Sequence, residues 1–178
     1  MIALLAACRG PRPVPPEDAQ TIVEGRSVTF RATIPPGAWY TVNFVPTFRR
    51  DDRFDVAADY TAADRTPLTS IAFTHPRSEV TTRAGLLGPV HVDFACTGLG
   101  THPLKIAPAP RAAAGTLTTR GAELGLFGFG FRNDAAHPVD LRVTIRAIHG
   151  GAVFAFVGTV PADAIDVPPP TATEASRG

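Results

Sequence analysis

The sequence predicts an all-β protein: a single antiparallel β-sandwich, jelly-roll or Ig-like, of about eight or nine strands with extended proline-rich tails. Three observations support this prediction. Apolar and polar residues alternate in successive short runs, turn-forming residues separate those runs, and no long window has a convincing helical period. With 178 residues, the chain can bury a core without disulfides or metals.

Alternation is clearest where every second residue is apolar along a whole run. In 27–34, Val28 and Phe30 face one way, while Thr29 and Arg31 face the other. The same period occurs in 40–44, 53–60, 90–96 and 139–147. Because successive side chains of a strand point to opposite faces, this pattern is typical of strands with one face in the core and one in water.

Turn chemistry marks where these strands end. The 35–38 segment, PPGA, suits a turn in which proline fixes φ and Gly37 takes the positive-φ position. The 149–151 segment, HGG, is short enough to join its flanking strands directly, so we expect a β-hairpin there. Residues 55–65 are compatible with a helix, but we expect a strand followed by a loop.

The segment LGLFGFGF alternates aromatic residues with glycine. Phe127, Phe129 and Phe131 lie on one face of the predicted strand, and Gly128 and Gly130 lie on the other. A glycine opposite an aromatic residue allows another layer to approach closely. We therefore expect a core strand with its phenylalanines inward and no room behind it. The alternative is a slot lined by aromatic rings that holds a ligand.

The first eight residues, MIALLAAC, are apolar and end in a cysteine. Leu5, Ala6, Ala7 and Cys8 resemble the lipobox that ends the signal peptide of bacterial lipoproteins. The resemblance implies a lipid on Cys8, stable anchoring to a membrane and a place in the cell envelope. Arg9, rather than aspartate, follows the cysteine, which favours the outer membrane. The alternative is an unremarkable N-terminal thiol.

Composition divides the chain into four parts. Residues 1–8 form the signal and lipobox remnant, and 9–20 form a proline-rich linker that favours an extended, semi-rigid conformation. The β-sandwich is expected over 21–160. Residues 161–178 are rich in proline and threonine and are expected to form a disordered or extended tail.

Two segments resemble known accessory domains. VTFRATIPPGAWYTV, with its P-x-G turn, is similar to the opening of small bacterial pre-peptidase C-terminal sandwiches. LFGFGFRND together with VDLRVTI looks like the closing hairpin of GOLD-type sandwiches. Both families are non-catalytic modules, so the resemblance implies an accessory or adaptor role, with no site residues to transfer.

An acidic cluster is the main candidate for a metal site. The cluster spans 14 residues, and calcium prefers carboxylate ligands, which sandwich proteins often place at strand ends. Its members are Asp51, Asp52, Asp55, Asp59 and Asp64. However, the cluster is interspersed with arginines and lacks the spacing of an EF-hand loop. Local ion pairs on a wet face are the preferred interpretation, and calcium remains the alternative. His91 and Asp93 share a strand face and form a weaker ligand pair.

No catalytic motif is recognisable. The four serines lack a nucleophile-elbow context, and Cys96 falls on the apolar face of its predicted strand, where a thiol is expected to be inert. Trp39 and Tyr40 are adjacent in a strand and should face opposite ways, so we expect one ring to be exposed and available for a sugar or a partner.

These observations predict a binding protein rather than an enzyme. Net charge is +1, with 17 basic and 16 acidic residues spread along the chain, so no basic patch indicates nucleic-acid binding. We expect a non-catalytic, lipid-anchored envelope protein, accessory or structural, that binds another envelope protein through its β-sandwich and needs no cofactor. The alternative is a carbohydrate- or calcium-binding β-sandwich module.

Overall fold

A computed structural model of the chain describes residues 21–47, 53–76, 79–83, 91–95, 105–122 and 125–165. These residues form twelve strands and one short 3-10 turn, Ala162–Ala164. The strands are β1 Thr21–Ile22, β2 Ser27–Ile34, β3 Trp39–Thr47, β4 Phe54–Ala62, β5 Thr69–Pro76, β6 Glu79–Arg83, β7 His91–Ala95, β8 Lys105–Pro108, β9 Ala114–Gly121, β10 Gly125–Arg132, β11 Val139–His149 and β12 Gly151–Val160.

Ten strands form two antiparallel sheets that pack face to face. One sheet has six strands in the order β1-β12-β3-β10-β5-β8, and the other has four in the order β2-β11-β4-β9. β6 and β7 form a separate two-stranded ribbon. The predicted all-β sandwich is therefore confirmed. The strand number differs from the expected eight or nine, because β1 and β8 are very short and have little alternation to reveal them.

Strand pairing is nested along the chain. β1 pairs with β12, β2 with β11, β3 with β10, β4 with β9, β5 with β8 and β6 with β7. The chain is thus one long hairpin whose two arms run side by side. Folded over so that successive pairs alternate between two sheets, such a hairpin gives the jelly-roll arrangement, and this distinguishes it from the Ig-like alternative.

The β-hairpin expected at 149–151 does not form, because the nested pairing gives β11 and β12 other partners. Gly150 does make the turn, with φ at 70°, but β11 and β12 belong to different sheets. The turn therefore crosses from one sheet to the other, as does the turn at Gly37, which has a φ of 75° and separates β2 from β3. The connection from β10 to β11 likewise crosses between the sheets, so neither segment that resembles an accessory domain forms a β-hairpin.

An aromatic layer fills the space between the sheets. Phe44 lies 5.7 Å from Phe129 between ring centroids, and Phe54 meets Phe127 edge-on at 4.6 Å. From the four-stranded sheet, Tyr60 packs against a ring of β10, and its hydroxyl lies 3.1 Å from the buried hydroxyl of Ser70. Residues 54–62 form β4, as expected from their alternation, and not a helix.

β10 is packed on both faces. Its three phenylalanines are buried in the aromatic layer, while Gly128 and Gly130 face the other side of the sheet. A Cβ atom on Gly128 would overlap the ring of Phe73, and one on Gly130 would lie 3.0 Å from Ile71. The expectation of inward phenylalanines with no room behind them is confirmed.

The six-stranded sheet is buried on its outer face as well as on its inner face. Trp39, Ile71 and Phe73 form a second apolar cluster there. Thr41 and Asn43 share this face of β3 and are also buried, although their Oγ1 and Oδ1 atoms have no hydrogen-bond partner. The expectation of one wet face is therefore wrong for β3, because packing on the outer sheet face excludes water regardless of local polarity.

The chain after β12 begins its path over this outer face. The indole Nε1 of Trp39 donates a hydrogen bond to the carbonyl oxygen of Ala162 at 3.3 Å, and Ile165 packs against the same apolar cluster. The first residues of the expected tail, 161–165, are therefore part of the packed structure.

Replacing Gly128 with alanine tests the packing behind β10. The new methyl group would overlap the ring of Phe73, and overpacking of this kind costs about 1–3 kcal/mol of unfolding free energy. The measurement is urea unfolding of the single variant and of Gly128→Ala combined with Phe73→Leu. We expect the second substitution to cost less in the alanine background than in the wild type. Additive effects would contradict the proposed contact.

Candidate functional site

The outer face of the four-stranded sheet is polar along all four strands. We call it the threonine–arginine face. It consists of Thr29, Arg31 and Thr33 on β2, Asp140, Arg142, Thr144 and Arg146 on β11, Asp59 and Thr61 on β4, and Thr116 and Thr118 on β9. These residues alternate with core residues along each strand, so the local pattern alone places them on the side away from the core.

One row across this face is fully paired. The hydroxyls of Thr29 and Thr144 lie 2.9 Å apart, and Thr116 donates a hydrogen bond to Asp59 at 2.6 Å. Arg146 donates to the same carboxylate at 2.7 Å. The hydrogen bonds from Arg146 and Thr116 hold the pKa of Asp59 below its usual value. This aspartate therefore stays ionised and has its charge compensated.

A shallow, open groove crosses the neighbouring rows on β2, β11 and β4. Its walls carry guanidinium groups, hydroxyls, one carboxylate and small apolar side chains, from Arg31, Ala32, Thr33, Thr61, Ala63, Asp140, Leu141 and Arg142. In this groove, Thr33 donates a hydrogen bond to Asp140 at 2.6 Å. The groove thus presents positively charged, negatively charged and hydroxyl groups to solvent.

A second polar cluster lies at the end of the sandwich where β4 turns into β5 and β10 into β11. Asp64 accepts hydrogen bonds from the Thr66 backbone N–H at 3.0 Å and from its hydroxyl at 2.7 Å. His137 Nε2 lies 2.9 Å from the same carboxylate. The Thr66 backbone and side-chain hydrogen bonds, followed by that of His137, lower the pKa of Asp64 to about 2.

Buried Asn133 supports this end of the sandwich. Its side-chain N–H groups donate to the carbonyl oxygens of Ile34 at 2.9 Å and His137 at 2.7 Å, and its Oδ1 accepts from Ala135 N–H at 2.9 Å. The amide therefore ties the end of β2, in one sheet, to the loop that leaves β10, in the other. This cluster closes turns between the sheets, so its groups are already engaged in holding the fold.

Asp134 is a second carboxylate with several partners at this end. It accepts hydrogen bonds from Arg132 and from Thr69, each at 2.6 Å, and Arg111 lies 3.5 Å away. The guanidinium of Arg132 also lies over the ring of Trp39, 5.3 Å from its centroid. Asp134 therefore has its charge satisfied within the protein.

The prediction that one of the rings at positions 39 and 40 is exposed is wrong. Trp39 is 0% exposed and Tyr40 is 5% exposed. The two rings do face opposite ways, but the outer face of the six-stranded sheet is itself packed, so Trp39 is covered there. Burial raises the pKa of Tyr40 to about 12. Neither ring is available to stack on a sugar or a partner in this structure.

The acidic cluster does not converge on one point. Asp51 and Asp52 lie outside the described residues. Asp55 and Asp59 are four positions apart on β4, about 13 Å at the usual rise per residue, so they cannot share one cation. Asp59 is paired with Arg146 across the sheet, which agrees with the preferred interpretation as ion pairs on a wet face.

The other predicted positions have no described side-chain environment. Cys8 and Cys96 lie outside the described residues, and the side chains of His91 and Asp93 are not described either. Among the residues that are described, no three His, Cys, Asp or Glu side chains are grouped so as to hold a metal ion.

Alternation in the sequence predicts that Arg31 and Arg142 lie on solvent-facing sides of their strands, but it does not predict that the two residues are neighbours. Alternation gives the face on which a side chain lies, whereas the groove depends on which strands are neighbours and in which register. No local signal in the sequence pairs β2 with β11, which follows it by more than a hundred residues.

The low pKa of Asp64 gives a test of the end cluster. We expect its carboxyl to titrate near pH 2 in carbon-detected NMR, well below the ordinary value of 3.8. Thr66→Val removes the hydroxyl hydrogen bond but keeps the backbone one, so the pKa should rise part of the way toward 3.8. Asp64→Asn identifies the resonance. A wild-type midpoint near 3.8 would contradict the described geometry.

The sign of the stability effect follows from that shift. Because the folded pKa is below the unfolded one, ionised Asp64 stabilises the native state above about pH 4. This contribution is lost as the pH falls toward 2. Asp64→Asn should therefore have a flatter decline of melting temperature over this window than the wild type.

Within the described part of the chain, no helix is long and apolar enough to cross a membrane. No family model matches the sequence, and a search of curated proteins returns no similar protein.

Proposed function

We propose that the protein is a non-catalytic binding module of a bacterial cell envelope, held at the membrane by a lipid on Cys8, whose ligand binds on the threonine–arginine face. The observation that carries this proposal is the open groove across β2, β11 and β4. Its guanidinium groups, hydroxyls and carboxylate bind ligands through hydrogen bonds and charge.

The groove residues suit binding better than proton transfer. Arginine stays protonated at any physiological pH, so Arg31 and Arg142 can orient a ligand but cannot accept a proton from it. The carboxylate of Asp140 already accepts a hydrogen bond from Thr33. These groups can recognise a polar ligand without reacting with it.

Of the two ligand classes that the sequence suggests, the groove favours a glycan over a protein. Protein interfaces usually centre on large aromatic or aliphatic anchors. In the described part of the chain, the exposed large hydrophobic residues are Val23 and Ile148, and neither lines the groove. Hydroxyls and charged groups on an open surface match the hydroxyl-rich surface of a sugar chain.

A protein partner is the second candidate, supported by a different surface. Val23 and Ile148 are 60% and 47% exposed. They lie at the same end of the sandwich, where Gly25 N–H donates to the carbonyl oxygen of Ala147 at 2.8 Å. This apolar pair is small, but it could anchor another envelope protein.

Blocking the groove tests the first candidate. Ala63→Trp fills the groove without removing a polar group, and Thr118→Trp places the same ring elsewhere on the threonine–arginine face. On an array of bacterial envelope glycans, we expect the wild type and Thr118→Trp to bind alike. Ala63→Trp should bind at least about tenfold more weakly. Equal binding by both variants would remove the groove from the proposal.

The anchor has its own test. We expect the wild-type protein to sediment with membranes when expressed with its native N-terminus in a bacterium, and Cys8→Ser to remain in the soluble fraction. Mass spectrometry of the membrane-extracted protein should show a lipid-modified N-terminal Cys8. An unmodified thiol in that fraction would refute the lipid anchor while leaving the ligand proposal intact.

A further inference from the structure

Two arginines stand directly opposite each other in the groove. The register of β11 against β2 pairs Arg142 with Arg31, and the register against β4 pairs Arg142 with Thr61. The preceding and following pairs, Leu141 with Ala32 and Val143 with Phe30, turn toward the core. Both arginines therefore point outward, with Cβ atoms about 5 Å apart, as in any directly opposed cross-strand pair.

Neither guanidinium forms an ion pair with a carboxylate of the described residues. The carboxylate of Asp140 is on the same face, but its hydrogen bond comes from Thr33. Like charges directly opposite one another destabilise a sheet, so this row carries an unfavourable interaction.

The adjacent row shows the usual solution to the same problem. There, Arg146 reaches the carboxylate of Asp59, which also accepts a hydrogen bond from Thr116. Among the described residues, the two arginines in the groove have no such partner. Since the chain as a whole has 17 basic and 16 acidic residues, this excess of positive charge is local.

We infer that the groove binds an acidic glycan, whose carboxylate sits between Arg31 and Arg142. This inference rests on the proposed function and names its ligand class. A guanidinium binds a planar carboxylate through two parallel hydrogen bonds. Two arginines whose Cβ atoms are about 5 Å apart can both direct their guanidinium groups to one carboxylate.

The rest of the groove suits a sugar better than an acidic peptide. The hydroxyl of Thr61 has no hydrogen-bond partner among the described residues, so it is free to bond a sugar hydroxyl. Asp140 and Thr33 provide an acceptor and a hydroxyl beside it. A uronic acid unit presents both kinds of group, a carboxylate and neighbouring hydroxyls.

The test compares the full-length protein with acidic and neutral forms of the same sugars. Calorimetric titration uses a panel of uronate oligosaccharides, each beside its methyl ester, and hexaglutamate as an acidic peptide. We expect at least one uronate to bind and its ester to bind at least about tenfold more weakly, the usual loss for a charged hydrogen bond. Arg31→Gln with Arg142→Gln should weaken uronate binding by at least the same factor.

Arg120→Gln is the matched control, because it removes the same charge from β9 on the same sheet, outside the groove. It should bind within about twofold of the wild type. Thermal unfolding without ligand is a second readout: Arg142→Gln should keep or raise the melting temperature, since it relieves the arginine pair. A lowered melting temperature would show that Arg142 has a structural partner and would overturn the inference.

The remaining outcomes separate this inference from the proposed function. Equal binding of acid and ester that is still blocked by Ala63→Trp would overturn the acidic ligand but keep the glycan-binding groove. Hexaglutamate binding as tightly as the best uronate would replace the glycan with an acidic polypeptide. Failure of the whole uronate panel would refute the inference, and the envelope-glycan array would then decide the proposed function independently.

Discussion

The structure depends on β10 packing tightly on both of its faces. Phe127, Phe129 and Phe131 supply the centre of the aromatic layer between the sheets, while Gly128 leaves just enough space for the ring of Phe73 on the other side. Larger residues at the glycine positions would push that outer layer away, and smaller residues at the phenylalanine positions would open cavities in the core. The neighbouring strands β3 and β5 are held in place by these two contacts.

This double packing makes the two sheets different. The six-stranded sheet buries the outer side chains of β3, including polar Thr41 and Asn43, as well as its inner face. The four-stranded sheet buries one face against the aromatic layer and leaves the other in water. The side chains of the threonine–arginine face are therefore held on strands whose opposite sides are anchored in the core.

The charged groups on the threonine–arginine face and at the end of the sandwich differ in whether a partner compensates their charge. Asp59 and Arg146 satisfy each other, and at the end of the sandwich Asp134 and Asp64 are surrounded by donors. In the groove, Arg31 and Arg142 lie opposite each other, and among the residues described no carboxylate forms an ion pair with either of them. Proteins commonly keep such locally unfavourable arrangements where function requires them, which supports the groove as the proposed binding site.

The fold class, the face on which most strand residues lie, the core role of β10 and the turns at Gly37 and Gly150 were all predictable, because they follow from local alternation and backbone preference. Which strands are neighbours became clear only from the folded chain. That arrangement turned an expected β-hairpin into a crossing between sheets, covered Trp39, and set Arg31 opposite Arg142. The reason is physical: strand pairing joins residues far apart in the chain, and no local pattern records the partner or the register.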